Sequence, residues 1–266
     1  FTQMAQYAAA CKPAKTILVE HDITLDLYGQ LLKDKDDFDM RLELTRWQSF
    51  ERAAWREVDC VAVMSDRDKG LIEQSRRVEV IENGVDLTRF NPSPNPPEIG
   101  RLLFIGSLAH LPNLMALAWF LKNVWPSLKD VKLHIIAGRN PAYYIDFYKE
   151  RVEVNLNQPN IELEAFVEDV RPAYARAEIV IAPLLASAGT NIKIMEARGC
   201  GKAIVATPGG VNGLNVEPSK DYLLASTPAH FAASIEQLQT NPTLRQTLER
   251  HARKTAGTRY SWATIG

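Results

Sequence analysis

The run Gly189-Thr190-Asn191-Ile192-Lys193-Ile194-Met195-Glu196 sets a glycine, a hydroxyl residue, a cation and a carboxylate at spacings that suit an anion beside a diol. A helix opening here presents free backbone N–H groups and a partial positive charge at its start. Thr190 reads as the N-cap, and Gly189 as the residue that lets a ligand approach the backbone. Lys193 and Glu196, at i and i+3, then project from one face. Phosphate can sit at the helix start against Thr190, Asn191 and Lys193, while Glu196 accepts from sugar hydroxyls. Taken singly, Glu196 also reads as a solvated helix carboxylate or a partner of Lys193, and Lys193 as a surface lysine. A cation at a helix N-terminus opposes the dipole, which weakens the plain reading of Lys193.

Apolar strand-like runs alternate with helical patterns around this segment, which gives an α/β class with mainly parallel sheets. The first block carries expected strands at 16–20, 59–64 and 78–81 and a long helix at 37–56. The second carries strands at 101–105, 131–137, 160–165, 178–182, 203–206 and 222–225. Helical patterns fall at 113–123, 170–176, 192–198, 229–239 and 242–254. Six strands with intervening helices make one complete Rossmann-like domain, and the first block makes a partial one. Between them, Asn91-Pro92-Ser93-Pro94-Asn95-Pro96-Pro97 has four prolines within six residues, which excludes helix and central strand. The expected division is therefore 1–90, a linker at 91–98, a second domain at 99–256 and a terminal segment at 257–266. Gly106-Ser107 follows the first strand of the second block, where a doubly wound domain approaches its ligand.

The 266 residues are 46% hydrophobic and 24% charged, with a net charge of -1, which argues against a nucleic-acid partner. Cys11, Cys60 and Cys200 form no CxxC or Cys/His cluster, so neither a disulfide frame nor a zinc site is indicated and a reducing cytoplasm fits. No apolar run approaches the ~20 residues needed to span a bilayer. No strand is followed by GxGxxG, which disfavours an ordinary NAD-binding protein. No acidic triad suggests a metal, and no carboxylate pair suggests a glycoside hydrolase.

Further segments join the pattern: Val19-Glu20-His21-Asp22, Ile81-Glu82-Asn83-Gly84-Val85-Asp86, Phe104-Ile105-Gly106-Ser107 with Pro112-Asn113, Phe166-Val167-Glu168-Asp169-Val170, Ala182-Pro183-Leu184 and Tyr260-Ser261-Trp262. With the Gly189 to Glu196 helix opening, their order and spacing resemble the retaining family-4 glycosyltransferases of the GT-B fold, in a bacterial polysaccharide-type subgroup. The resemblance implies two Rossmann-like domains facing across a cleft: an acceptor-side domain at 1–90, a donor-binding domain at 99–256, and 257–266 returning toward the first. It implies transfer of a sugar from a nucleoside-diphosphate sugar to a hydroxyl acceptor, with retention at the anomeric carbon and no cofactor beyond the donor.

Residue by residue, Glu196 matches the second glutamate of the family's Glu-x7-Glu motif and is implied to bind the donor ribose. Lys193 is implied to contact the diphosphate and act in catalysis, with Gly189, Thr190 and Asn191 beside it. The Gly106-Ser107 loop is implied to lie against the phosphates. Because Leu108 to Asn113 lacks the Arg and Lys that many members carry, phosphate neutralisation leans on Lys193, Arg139 or backbone amides. Arg139 reads equally as a solvent-facing loop arginine. Phe166-Val167 resembles the place where members read the nucleobase, although Glu168-Asp169-Val170 with Pro172 also reads as an acidic helix start. His21 is implied to sit beside the transferred sugar and the acceptor as a second catalytic residue.

The sequence departs from the family at Ala188, where the first glutamate of the motif is expected. Only about half of a doubly wound sheet precedes the linker, so the resemblance also implies truncation at the N-terminus, with apolar surface left exposed. Expected partners are a nucleotide sugar and a carbohydrate or lipid-linked acceptor, with a peripheral contact at the inner membrane face. Two alternatives stand beside transfer. Ala188 and the short first block favour a donor-binding fragment or pseudo-transferase; a GT-B sugar-nucleotide epimerase would use the same recognition without an external acceptor.

Overall fold

The computed structural model describes residues 2–11, 14–34 and 37–265. Two compact units emerge. One holds the chain up to Asn83 with Ala186–Asn191 and Asn212–Asn215; the other holds Gly84–Leu185, Ile192–Val211 and the chain from Val216 onward.

In the first unit, β1 (Ile17–Glu20), β2 (Cys60–Val63) and β3 (Val78–Val80) form a parallel sheet in that order. Helices α1 (Thr24–Asp34) and α2 (Phe38–Glu57) carry the chain from β1 to β2, and α3 (Asp66–Leu71) from β2 to β3. Leu18, Ile23, Trp55, Val58, Val61 and Val63 close the core. The helix starts follow from capping. Asp37 accepts from the Met40 N–H at the start of α2, and Ser65 from the Asp68 N–H at the start of α3. Helix α1, absent from the sequence reading, opens on a distant carboxylate: Glu51 of α2 accepts from the N–H groups of Thr24 at 2.8 Å and Leu25 at 2.9 Å. Burial pushes Glu51 up to about 7 in spite of those bonds.

The second unit is a six-stranded parallel sheet of β4 (Arg101–Ile105), β5 (Lys132–Ile136), β6 (Ile161–Glu164), β7 (Ile179–Ala182), β8 (Ala203–Ala206) and β9 (Leu223–Leu224). Its order is β6-β5-β4-β7-β8-β9. Strands β7 and β8 are buried throughout, which is why they read as continuous apolar runs rather than alternating ones. The helices are α4 (Leu111–Asn123), α5 (Pro141–Phe147), α6 (Arg171–Arg176), α7 (Ile192–Gly199), α8 (Pro228–Thr240), α9 (Pro242–Arg259) and α10 (Trp262–Ile265). This is the Rossmann-like strand order, and it reverses between β4 and β7. In such sheets the crevice beyond the strand carboxyl ends at the reversal receives ligands.

Within this unit Tyr260-Ser261-Trp262 lies against Gly84-Val85. The Val85 N–H donates to the Tyr260 carbonyl at 2.6 Å, and a Cβ on Gly84 would stand 2.5 Å from the Trp262 indole. Helix α7, which carries Lys193 and Glu196, is fixed at its far end. Arg253 of α9 donates to the Gly199 carbonyl at 2.6 Å, and Arg198 pairs with Asp221 at 3.0 Å. The Arg198 and Asp221 side chains are only 1% and 4% exposed. Asp221 also accepts from the Glu217 N–H and the Thr255 hydroxyl. Removing one partner of a buried pair strands the other charge, so Asp221→Ala is expected to lower the unfolding free energy by about 3–5 kcal/mol. Urea denaturation checks this, and a loss below about 1 kcal/mol, typical of an exposed pair, contradicts it.

Candidate functional site

At the end of β4 the chain turns through Gly106-Ser107, at the strand-order reversal. The turn is tied to the end of β5: Gly106 N–H donates to the Ile136 carbonyl at 3.0 Å and Leu108 N–H to the Ala137 carbonyl at 2.9 Å. Two glycines make room around it. A Cβ on Gly106 would stand 2.8 Å from the Asn113 amide carbon, and one on Gly138, at φ +77°, would stand 2.7 Å from Ser107 Oγ.

Asn113, in the first turn of α4, is 7% exposed. Its Nδ2 donates to the Ser107 carbonyl at 3.0 Å, and its Oδ1 accepts from Lys193 Nζ at 2.9 Å. The ammonium also lies 5.8 Å from the centre of the Phe104 ring. Burial lowers Lys193 to about 8, with the Glu196 charge pulling the other way. His110 keeps an exposed edge, yet desolvation of its ring and the Lys193 charge hold its imidazole below the usual value.

Glu196 is held from α6. The Tyr174 hydroxyl lies 3.0 Å from Glu196 Oε2 and 2.9 Å from the Lys193 carbonyl. Burial raises the Tyr174 phenol well above its ordinary value, so it stays protonated and can donate. The Glu196 carboxyl is raised by burial and drawn back by the Tyr174 bond, Arg89 and Lys193. Beyond β5 and β6, the Arg139 guanidinium sits over the Phe166 ring at 4.6 Å from its centre, with Phe166 54% exposed and Val167 half-buried beside it.

The second unit thus brings together Gly106, Ser107, Lys193 and Glu196 in one group and Arg139 with Phe166 and Val167 in another. The other expected residues gather in the first unit. His21-Asp22 follows β1, and Gly189, at φ +60°, lies so close that a Cβ would overlap the His21 carbonyl oxygen and stand 2.5 Å from Asp22 Oδ1. Asp22 keeps an exposed face, yet desolvation of its carboxyl by the surrounding chain raises it. Gln30 holds Ser187 by both backbone groups, donating to its carbonyl at 3.0 Å and accepting from its N–H at 3.1 Å. Ala188 lies in this clamped loop.

Thr190 requires a correction. Its hydroxyl accepts from Asn83 Nδ2 at 2.6 Å, and the helix begins two residues later at Ile192, so Asn191 rather than Thr190 precedes it. Asn113 and Tyr174 had been given no role by the sequence. Pro112-Asn113 at a helix start was a local hint for the first; Tyr174 had none.

Among the described residues His134, Glu162 and Glu164 bring metal-type ligand atoms within 4.8 Å of one another, on β5 and β6. Glu162 is met by Arg101 Nη2 at 2.6 Å, and Glu164 by His134 Nε2 at 2.7 Å. A guanidinium already supplies the positive charge there. All three cysteines are free thiols. No helix among the described residues is long and apolar enough to cross a membrane.

A family model described as "Glycosyl transferases group 1" matches residues 100–241, and the chain belongs to that family. D-inositol 3-phosphate glycosyltransferase of Salinispora arenicola (strain CNS-205) is 26% identical over 211 residues, covering 70% of this chain and 47% of the relative. The matched parts span 37% and 47% of curated relatives, so the chain corresponds to less than half their length. Sucrose-phosphate synthase from Thermosynechococcus elongatus superposes with a TM-score of 0.78 at 17% identity, covering 99% of this chain and 68% of that one. Anabaena Alr3699/HepE, solved in complex with UDP, superposes with a TM-score of 0.74 at 16% identity, covering 100% and 74%. At these identities the likeness shows the fold, which is that of GT-B glycosyltransferases.

The Tyr174 bond favours the ionised form of Glu196. Tyr174→Phe is therefore expected to move the Glu196 titration midpoint further up in a carboxyl-carbon NMR titration. An unmoved midpoint contradicts the hydrogen bond.

Proposed function

We propose that residues 99–256 are the donor-binding domain of a retaining family-4 glycosyltransferase, and residues 1–90 belong to its acceptor side. The single observation that carries the reading is the Lys193 ammonium at the strand-order reversal, with the Glu196 carboxylate one helical turn along. The donor diphosphate lies against Lys193 and the Gly106-Ser107 turn, and the ribose diol on Glu196. Phe166, with Arg139 on one face, offers an exposed aromatic surface beside the Val167 backbone for the base. The structures of Anabaena HepE with UDP and with UDP-glucose make UDP the first probe.

In transfer, the bond between the anomeric carbon and the diphosphate oxygen breaks while an acceptor hydroxyl forms its own bond on the same face. The acceptor proton passes to the departing diphosphate. Negative charge grows on that diphosphate, so Lys193 contributes more in the transition state than in the ground state. His21, at the end of β1, is assigned to the sugar and the acceptor, a carbohydrate or lipid-linked hydroxyl. A second reading, donor binding without transfer, is favoured by Ala188. Product analysis separates these readings: transfer yields free nucleoside diphosphate and a glycoside, binding alone leaves the sugar nucleotide unchanged, and a sugar-nucleotide epimerase yields a new sugar nucleotide.

Calorimetry with UDP, GDP, ADP, TDP and CDP tests the site. One diphosphate is expected to bind saturably, and Lys193→Ala and Glu196→Gln each to weaken it by more than ~1 kcal/mol, the scale of hydrogen bonds to charged groups. Unchanged affinity in both variants contradicts the reading. The pH dependence has a definite sign. Burial leaves Lys193 at about 8, and a diphosphate favours its charged form. Affinity is therefore expected to fall as pH rises through 8, with proton uptake on binding above it; a flat profile from about pH 7 to 9.5 contradicts a charged Lys193 contact.

A further inference from the structure

Lys193 and Glu196 lie one helical turn apart and could neutralise each other, yet the hydrogen bonds each makes in this unit run to a neutral group. Lys193 Nζ donates to Asn113 Oδ1 at 2.9 Å, and Glu196 lies 3.0 Å from the Tyr174 hydroxyl. The charges stay available for a ligand. We infer that Asn113 is a positioning residue for the diphosphate: its amide bridges the Ser107 carbonyl to the Lys193 ammonium, setting turn and lysine in one register without neutralising the lysine. The inference rests on the donor-site reading above.

Two observations and one electrostatic argument support the bridge. Both ends of the amide are committed, Nδ2 to Ser107 at 3.0 Å and Oδ1 to Lys193, and the residue is 7% exposed, so Asn113 acts through its neighbours. The turn is built to admit it: a Cβ on Gly106 would stand 2.8 Å from the Asn113 amide carbon. Gly106 is thereby explained by packing against Asn113, and its own N–H is already given to the Ile136 carbonyl. A neutral acceptor is also the choice that leaves charge for an anion. A carboxylate of the same size would hold the lysine in an ion pair and repel the diphosphate.

Asn113→Asp is isosteric and separates these roles. The groups facing Lys193 are His110 at the start of α4, Phe104 of β4, Tyr174 of α6 and Glu196 of its own helix. With those unchanged, a new carboxylate beside the ammonium is expected to move the lysine titration midpoint well up from about 8 in side-chain carbon NMR. UDP, or whichever diphosphate the wild type binds, is expected to bind about tenfold or more weakly to Asn113→Asp. Asn113→Ala and Gly106→Ala are both expected to lose affinity by a smaller and similar factor, about three- to tenfold, since each removes the bridge without adding charge.

Thermal melts of all three identify any variant that has lost its fold, and the folded ones carry the test. Affinity within about twofold of wild type in the folded variants, with an unmoved lysine midpoint, overturns the inference while leaving the donor site standing. If the wild type binds no nucleoside diphosphate, the donor-site reading fails. The lysine midpoint in Asn113→Asp then still decides whether the bridge exists.

Discussion

The second unit is organised around one desolvated charge. An ammonium withdrawn from water loses hydration that only strong partners can replace, and the Asn113 carbonyl and Phe104 ring replace it in part. Desolvation of the half-buried Lys193 lowers it to about 8, in line with that shortfall. An anion in contact with the lysine makes up the difference. In the proposed donor site, recognition of a phosphate would rest on an incompletely compensated cation at the reversal of a parallel sheet, where backbone turns converge.

Such a charge is useful only if it is held still, and the elements around it act as its frame. The Gly106-Ser107 turn is pinned to the end of β5, while Asn113 is pinned to the turn. At the far end of α7, Arg253 closes the Gly199 carbonyl and Arg198 meets Asp221. The helix is therefore restrained at its last turn by α9 and near its first by α4. In the first unit Gln30 and Asn83 perform comparable work on the loop at Ala186–Asn191, whose Gly189 fits beside His21 because it has no side chain.

The sequence was most legible where burial is symmetric. Strands β7 and β8 lie inside the sheet and carry apolar residues at every position, as β4 does after Arg101, so the expected limits fall within one residue of the observed ones. Helix α1 escaped because its first N–H groups are satisfied by Glu51, 27 and 26 residues on, rather than by a local cap. Thr190 was misread for a related reason. A hydroxyl near a helix start either caps it or bonds elsewhere, and here it meets Asn83, 107 residues away in the chain. Lys193 and Glu196 stood out because their spacing is local. The groups that tune them, Asn113 at 80 residues' separation and Tyr174 at 22, became visible only when the sheet order brought α4, α6 and α7 together.

The proposed site would seat a nucleoside diphosphate at the sheet reversal, across Lys193 and Glu196. A crystal structure of the chain grown with the tightest-binding nucleoside diphosphate decides where the ligand sits. The expected complex has a diphosphate oxygen about 2.7–2.9 Å from Lys193 Nζ, a charge-assisted distance, and the ribose hydroxyls on the Glu196 carboxylate. A nucleotide seated instead among Arg89, Arg171 and Lys202, in the cavity of about 310 Å³ that they line, would contradict it.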